Sequence, residues 1–526
     1  MKLPAIRACH GAAGMLAMTL LTASPAHAQV TGNALLLAQS GNRLYTSPAD
    51  RLGAYTQVDL EYAQARWLVG GRFESDRTSD DTPGSREAQY GLITRRFAQW
   101  ESGASRVRIG QFGTILGRGL LHRSYELPGV VYDEPGSRSR YAATRDVDGV
   151  LAEWGAGPLA LRAFSGRPSD GTVSPASEAR GSLRYAGVLS GAQVEGRLGR
   201  NMRAGFAATR YVFGSAPDRH AGSGFASLDL AAETGAKTWS LPLAFEYAQG
   251  GGSFREGLRL RRGPETPHAM YASAAVVAGR WSLSAEYKDY DAFRTGLNDP
   301  PPLVREHTAA LLNRATHVLD ADGEEGVQWE LQGPLVADLR FVANLARSSG
   351  EALTAGGRYE ERFGELVWAP EAKAWSARAF VARGEDTFDF VGDRHAWGVG
   401  MTRESGAWGL DAEVEHMRSL RVGALGFSEP FDDDLWQFAA SRRGWGSAGV
   451  TVTRTTDRLD RPSDLFGEPT APSATFAGFT LAAELPNDSR AELFAGRRRG
   501  GRACVSGSCY EVPSLSGYEL RWSARF

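Results

Sequence analysis

The sequence predicts an all-β chain, a single transmembrane antiparallel β-barrel of about 24 strands (22–24), with short periplasmic turns and long extracellular loops. Three observations predict it. Segments of roughly ten residues alternate apolar and polar side chains along nearly the whole chain, the period-2 signature of a strand with two unlike faces. Very short turns and long polar loops alternate between these segments. Tryptophan recurs just after the short turns, as in a ring of aromatic side chains at one membrane interface.

The chain opens with Lys2 and Arg7, an apolar run over residues 11–21 and the small-residue site Ala26-His27-Ala28. This pattern reads as a secretory signal peptide over residues 1–28, leaving residues 29–526 as the barrel. No later apolar run approaches the roughly eighteen residues of a membrane helix. Lysine plus arginine total 59 against 61 aspartate plus glutamate, so the near-neutral balance argues against a nucleic-acid surface or a strongly anion-selective pore. By length alone the chain would hold two to four soluble domains, yet no linker or compositional break divides it.

From residue 51 the alternation is explicit. Val58, Leu60 and Tyr62 alternate with Gln57, Asp59 and Glu61; after a turn near Gln64 and Ala65, Trp67, Val69 and Phe73 alternate with Arg66, Leu68 and Arg72. The same unit starts at Trp239, Trp281, Trp375 and Trp408, each following a short turn. A β-sandwich with tryptophan in its core is the competing reading, but it would not keep charge on one face of nearly every strand without a domain break. Long loops are expected over residues 112–146, 249–268, 291–325, 418–431 and 456–472. Both chain ends belong on the periplasmic side, which requires an even number of strands; residues 33–45 supply the first.

The last strand, residues 517–526, sets Tyr518, Leu520, Trp522, Ala524 and Phe526 on one face, and Glu519, Arg521, Ser523 and Arg525 on the other. Tyr518 and the terminal Phe526 stand at the two ends of a roughly 25 Å apolar band. This ending resembles the closing strand of a Gram-negative outer-membrane β-barrel, whose terminal aromatic is read by the barrel-insertion machinery. The Gly-rich stretch 110–126 and the stretch 286–314, with Pro300-Pro301-Pro302, also resemble loops of a large, uncharacterised family of outer-membrane barrels. The resemblance implies fold and location in the outer membrane, and no activity.

A wide barrel needs something in its lumen, because a sheet of more than about 20 strands encloses an aqueous channel. The segment before the first regular strand is too short for a plug domain, which argues against a TonB-dependent receptor. The loops 113–146 and 291–325 are therefore expected to fold inward, with Arg118, His122, Arg123, Glu126, Arg305, Glu306 and His307 as constriction candidates. The pore-lining candidates carry both signs: Asp59, Glu61, Arg66, Arg72, Arg106, Arg108, Arg340, Arg378, Asp411, Glu413, Glu415 and Arg521. Trp67, Trp239, Trp281, Trp375, Trp408, Tyr518 and Phe526 are assigned to the membrane girdle. Cys504 and Cys509 lie between the last two strands and are expected to form a disulfide in an exposed loop, where an oxidising compartment permits one.

No His-x3-His, His-Glu-x2-His, Gly-x-Ser-x-Gly or phosphate-cradling motif is present, so no catalytic residue, cofactor or metal is assigned. Three functions compete: a porin-like channel passing polar solutes through a charged, loop-constricted lumen, the outer-membrane component of a polysaccharide or protein export system with a periplasmic partner, and a barrel enzyme assembled from separate strands. Outer-membrane lipid and lipopolysaccharide are the other expected partners, the latter through Arg497, Arg498, Arg499 and Arg502. Nucleic acid is not among them.

Overall fold

The computed structural model describes residues 28–42, 51–78, 90–127, 143–169, 187–212, 218–234, 237–251, 267–293, 300–305, 307–318, 323–350, 357–370, 374–422, 428–460, 470–505, 508–512 and 514–526. Twenty-four strands form one antiparallel sheet in which chain neighbours are sheet neighbours. The sheet closes where the first strand, Ala28–Asn42, pairs with the last, Leu515–Arg525. The register there runs from Asn33 opposite Arg525 to Asn42 opposite Ser516. Phe526 extends it by one step, exchanging backbone hydrogen bonds with Gly32 at 2.7 and 3.0 Å. Gly32 is needed because a Cβ there would stand 2.6 Å from the Phe526 ring.

Alternation follows the sequence pattern. In Leu339–Gly350, Val342, Asn344, Ala346 and Ser348 are buried toward the lumen, while Leu345 is exposed on the outer face. In Trp281–Asp291, Trp281 and Leu283 face outward, and Lys288 and Tyr290 are enclosed inside. The outer face is thus apolar and the inner face largely polar, the inverse of a soluble protein. Among the described residues no helix is long and apolar enough to cross a membrane.

Trp67, Trp239, Trp281, Trp375 and Trp408 all stand exposed on the outer face near the first residue of their strands, above the short turns. Trp67 lies opposite Trp100 on the next strand, so the ring continues into descending strands. Tyr518 and Phe526 are also exposed on the outer face.

Several boundaries move. The first strand is Ala28–Asn42 rather than 33–45, because its register is set by pairing on both sides. Residues 75–78, polar throughout, continue the strand Trp67–Thr78. The loop expected over 418–431 shrinks: one strand runs on to Val422 and the next begins at Ser428, since Ser419 and Phe431 continue the buried inner face. The first short turn consists of Ala65 and Arg66. The signal segment before residue 28 lies outside the described residues.

Candidate functional site: the lumen and its two inserts

Among the described residues, two chain segments enter the lumen. The first, residues 113–124, follows the short strand Ser105–Phe112 and folds back as a small hairpin pairing Ile115 with Arg123 and Leu116 with His122. Leu116, Leu120 and Leu121 are almost wholly buried in one apolar cluster with Leu151, Phe164, Leu189 and Tyr290 of the inner wall. An apolar loop is stable only where water is excluded, and burying each of these leucines is worth roughly 1.5–3 kcal/mol. Polar contacts fix the backbone. Gly117 donates its N–H to Gln193 at 2.9 Å, Arg162 donates to the Ile115 carbonyl at 2.6 Å, and the N–H groups of Arg118 and Leu120 converge on the buried Glu246 carboxylate.

The second insert, residues 300–318, crosses the lumen beyond the strand Trp281–Asp291 and carries the one-turn helix Ala310–Arg314. Ala309, Leu311 and Leu312 pack on Phe363, Phe380, Ala382, Ala396, Met417 and Leu435, which project inward from five successive strands. Glu415 accepts the N–H groups of Ala310 and Leu311 at 2.9 and 2.8 Å, satisfying donors that a helix start leaves open.

The second insert is also held by buried charge. Lys288 pairs with Glu324 and donates to the Pro302 carbonyl at 2.7 Å; Tyr290 donates to the Pro301 carbonyl at 2.9 Å. His307 bonds Glu361 at 2.8 Å, and Arg394 reaches the other oxygen of that carboxylate at 2.6 Å. His317 lies between Asp386 at 2.9 Å and Glu324 at 3.0 Å, with its ring stacked on Tyr359 at 4.4 Å. Burial opposes charge on His317, but its two carboxylate partners outweigh that and raise its pKa above the ordinary histidine value.

The sequence-derived candidates are placed as follows. Asp59 and Arg72 pair at 2.6 Å, Glu61 and Arg95 approach to 3.7 Å, and Arg106 pairs with Glu153, all on the inner face. Arg108 lies over the Phe97 ring at 3.5 Å. Arg378 pairs with Glu413 and also meets Thr308 of the second insert; Asp411 accepts from Thr402 at 2.8 Å. Arg521 is buried between Glu492 and Glu519, 3.0 Å from each. Arg340 is exposed at the start of its strand, on the inward parity. Arg66 departs from expectation: it is an exposed residue of the turn, not of a strand face, because the turn falls one residue later than the pattern placed it.

Of the constriction candidates, Arg118 is exposed while its backbone is held by Glu246, and Arg123 is half-buried. His122 is buried beside Ser124 at 3.0 Å and against Phe164. Arg305 pairs with Glu330 and lies over the Phe363 ring at 5.0 Å, and His307 is the Glu361 partner. Glu306 and the Glu126 side chain lie outside the described residues. Cys504 and Cys509 are directly opposite in a two-stranded hairpin, Gly501–Val505 with Ser508–Val512; their sulfur atoms lie outside the described side chains.

The arginine cluster beside the last loop is not a surface feature as a whole. Arg498 is buried on Glu519 at 2.8 Å, and Arg499 is enclosed between Asp433 at 2.9 Å and Asp460 at 2.7 Å. Burial works against charge on Arg499, yet the two aspartates hold its pKa above the usual arginine value. Arg497 is exposed and stacks over Phe476, and the Arg502 side chain lies outside the described residues.

Lys288, Glu324, His317, Asp386, Glu361, Arg394, Gln193 and Glu246 were not singled out from sequence. Strand parity would have placed most of them inside, but not against an insert.

Neither apolar insert cluster includes the inner wall formed by 28–102 and 446–525, which the second insert meets through Arg314, a donor to the Gly500 and Arg499 carbonyls at 3.0 and 3.4 Å. At the periplasmic end of that arc is a polar cavity of 580 Å³ lined by Asp59, Glu61, Arg72, Arg95, Asp488, Arg525 and the terminal Phe526.

A closed 24-stranded sheet, apolar and ringed with aromatics outside and charged inside, defines a Gram-negative outer-membrane β-barrel, and the cell outer membrane is where such a surface is stable. Neither a protein-family model nor a curated protein matches the sequence. Among solved structures, the barrel is similar to the P pilus usher (PapC) translocation pore, at 10% identity and a TM-score of 0.46 over 94% of this chain and 99% of that one. It is also similar to outer membrane protein opdK from Pseudomonas aeruginosa (14% identity, TM-score 0.39, 74% of this chain and 99% of that one) and to a BenF-like porin from Pseudomonas fluorescens Pf-5 (12%, 0.37, 71% and 97%). These likenesses are of fold.

Proposed function

We propose that the barrel is an outer-membrane channel that passes polar solutes passively, along the arc of wall, 28–102 and 446–525, that the apolar clusters of the two inserts do not include. The observation that carries this reading is the 580 Å³ polar cavity at the periplasmic mouth of that arc, lined by three arginines and three carboxylates. Above it the inward side chains continue as paired opposite charges, Arg498 with Glu519 and Arg521 with Glu492, and the Gln39 amide also donates to Glu519. Pairing neutralises the wall and leaves hydrogen-bonding edges, which favours hydrated polar solutes over a single sign of ion. The pore-lining candidates of that arc are Asp59, Glu61, Arg72 and Arg521.

The test is single-channel recording on the refolded protein in planar bilayers. The wild type should conduct in small steps, and deletion of residues 113–146 should enlarge them. A barrel silent in both forms would refute passive conduction.

The second reading, an export pore opened by a periplasmic partner, draws on the buried ion pairs that tie the second insert to the wall. Under it the isolated barrel is silent, and a periplasmic protein co-purifies from cells. Three further assignments accompany the proposal: cleavage after residue 28, recognition of the C-terminal strand by the insertion machinery, and a Cys504–Cys509 disulfide. Intact mass of the mature protein, with and without reductant, tests the first and third.

A further inference from the structure

The cavity at the periplasmic mouth holds more charge than its internal pairs use. One row of inward side chains crosses the junction of the first and last strands there. Arg525 stands opposite Asn33, Asn33 opposite Asp59, Asp59 opposite Arg72, and Arg72 opposite Arg95. Asp59 is fully occupied: one oxygen takes Arg72 at 2.6 Å and the other takes the Gln57 amide at 2.7 Å. Arg95 has Glu61 at 3.7 Å. Two charges of opposite sign are left over. Arg525 and Asp488 both line the cavity and are both exposed, and among the described residues neither forms an ion pair, with the other or with a third group.

Asp488 is also an unusual residue for its position. It follows Asn487 in the turn that joins Ala474–Leu485 to Ser489–Arg498, and the two have positive φ, 51° and 58° respectively. That backbone favours glycine, and among residues with a side chain Asn and Asp tolerate it best. Ser489 pins the turn by donating its hydroxyl to the Pro486 carbonyl at 2.7 Å. A carboxylate is thus held at the rim of the cavity where glycine would be the easier residue. Thr31 and Asn33 add uncharged hydrogen-bonding groups to the lining.

We propose that this cavity binds a small zwitterion, a free amino acid or a short peptide, with its carboxylate on Arg525 and its ammonium on Asp488. The inference rests on the channel reading above and names the class of solute that the channel passes. A lone anion would satisfy Arg525 but be repelled by the carboxylates of the lining, and a lone cation would meet the converse problem at the arginines. A molecule with both charges satisfies both residues and leaves the lining balanced. The volume of 580 Å³ lies within the roughly 300–1,000 Å³ of small-molecule sites.

Full-length barrel refolded in detergent is titrated with glycine and with triglycine. Each is compared with its N-acetyl form, which keeps only the negative charge, and its C-terminal amide, which keeps only the positive one. Saturation-transfer NMR reads the affinity without requiring a current. The better zwitterion should bind roughly tenfold tighter than either derivative, the low end for a hydrogen bond to a charged group. Whether glycine or triglycine is that zwitterion separates the amino acid from the peptide. Arg525→Gln should remove the advantage over the amide and leave amide binding unchanged. Asp488→Gly, which suits the turn, should remove the advantage over the N-acetyl form and leave binding of that form unchanged. Heat-modifiable gel migration confirms that each variant is a folded barrel. Equal affinity across the three charge forms, variants that keep the preference, or variants that weaken all three forms alike would overturn the proposal. Zwitterion binding by a barrel that is silent in bilayers would uphold the site and refute passive conduction alone.

Discussion

The two inserts enter the same lumen and are held by different physics. The first is a short apolar hairpin: three leucines supply its binding, and Gln193, Arg162 and Glu246 set its backbone. The second has an apolar contact of its own, but charge surrounds it, through Glu415 on the helix start and the pairs of His307 and His317. Apolar contact falls off gradually as surfaces separate. A buried charge that loses its partner costs several kcal/mol at once. The first insert should therefore yield by degrees, and the second should be either seated or released.

The largest effect expected from this difference is at Glu361. Its removal in Glu361→Ala strands Arg394 and leaves His307 without its acid, at a cost of about 3–5 kcal/mol. Limited proteolysis should then cut within residues 300–318 while the barrel keeps its heat-modifiable migration. An insert still protected would mean the ion pairs are incidental to its seat.

Leu120→Ala is the matching test on the other side. A cavity there should cost about 2–5 kcal/mol, and current steps should become noisier without a discrete new level. A clean two-level record would show that this insert also switches.

A smaller effect is expected from pH. Both ring nitrogens of His317 can donate, to Asp386 and to Glu324, only in the imidazolium. Because its folded pKa is raised, its stabilisation of the second insert is complete below the ordinary histidine value and is lost as pH climbs through the folded value. Proteolysis of 300–318 should accelerate between neutral and alkaline pH, and His317→Gln should remove that dependence. The smallest effect belongs to Cys504→Ser, since a disulfide closing so short a loop constrains little of the unfolded chain. Barrel unfolding in denaturant should scarcely move.

The barrel was legible in the sequence because its physics is periodic. Alternation at Trp281–Asp291 or Leu339–Gly350 has one reading when the apolar face has no partner, and the even strand count follows from two ends on one side. The inserts were half legible. The leucines of 116–121 could not face water, so inward folding followed, yet nothing local says that Leu116 meets Gly191 or that Glu246 receives the turn. Those contacts join residues far apart in the chain and depend on the curvature of the wall. Arg498 and Arg499 failed for a related reason: a run of arginines looks like a basic tip until the partner carboxylates, Glu519 for the first and Asp433 and Asp460 for the second, arrive from elsewhere in the chain.

The seam has a mechanical consequence. Every other neighbouring pair in the sheet is linked by the stretch of chain that runs from one strand to the next, so its strands remain tethered even if their ladder opens. Ala28–Asn42 and Leu515–Arg525 are tethered only through the whole circumference, by a ladder that includes the glycine pair Gly41 and Gly517. Both adopt positive φ, and a Cβ on either would strike the opposing strand's carbonyl at 2.1 or 2.0 Å. Side force on the wall would therefore part the barrel here first, so the seam is at once the last joint the chain can make and the natural line of lateral opening.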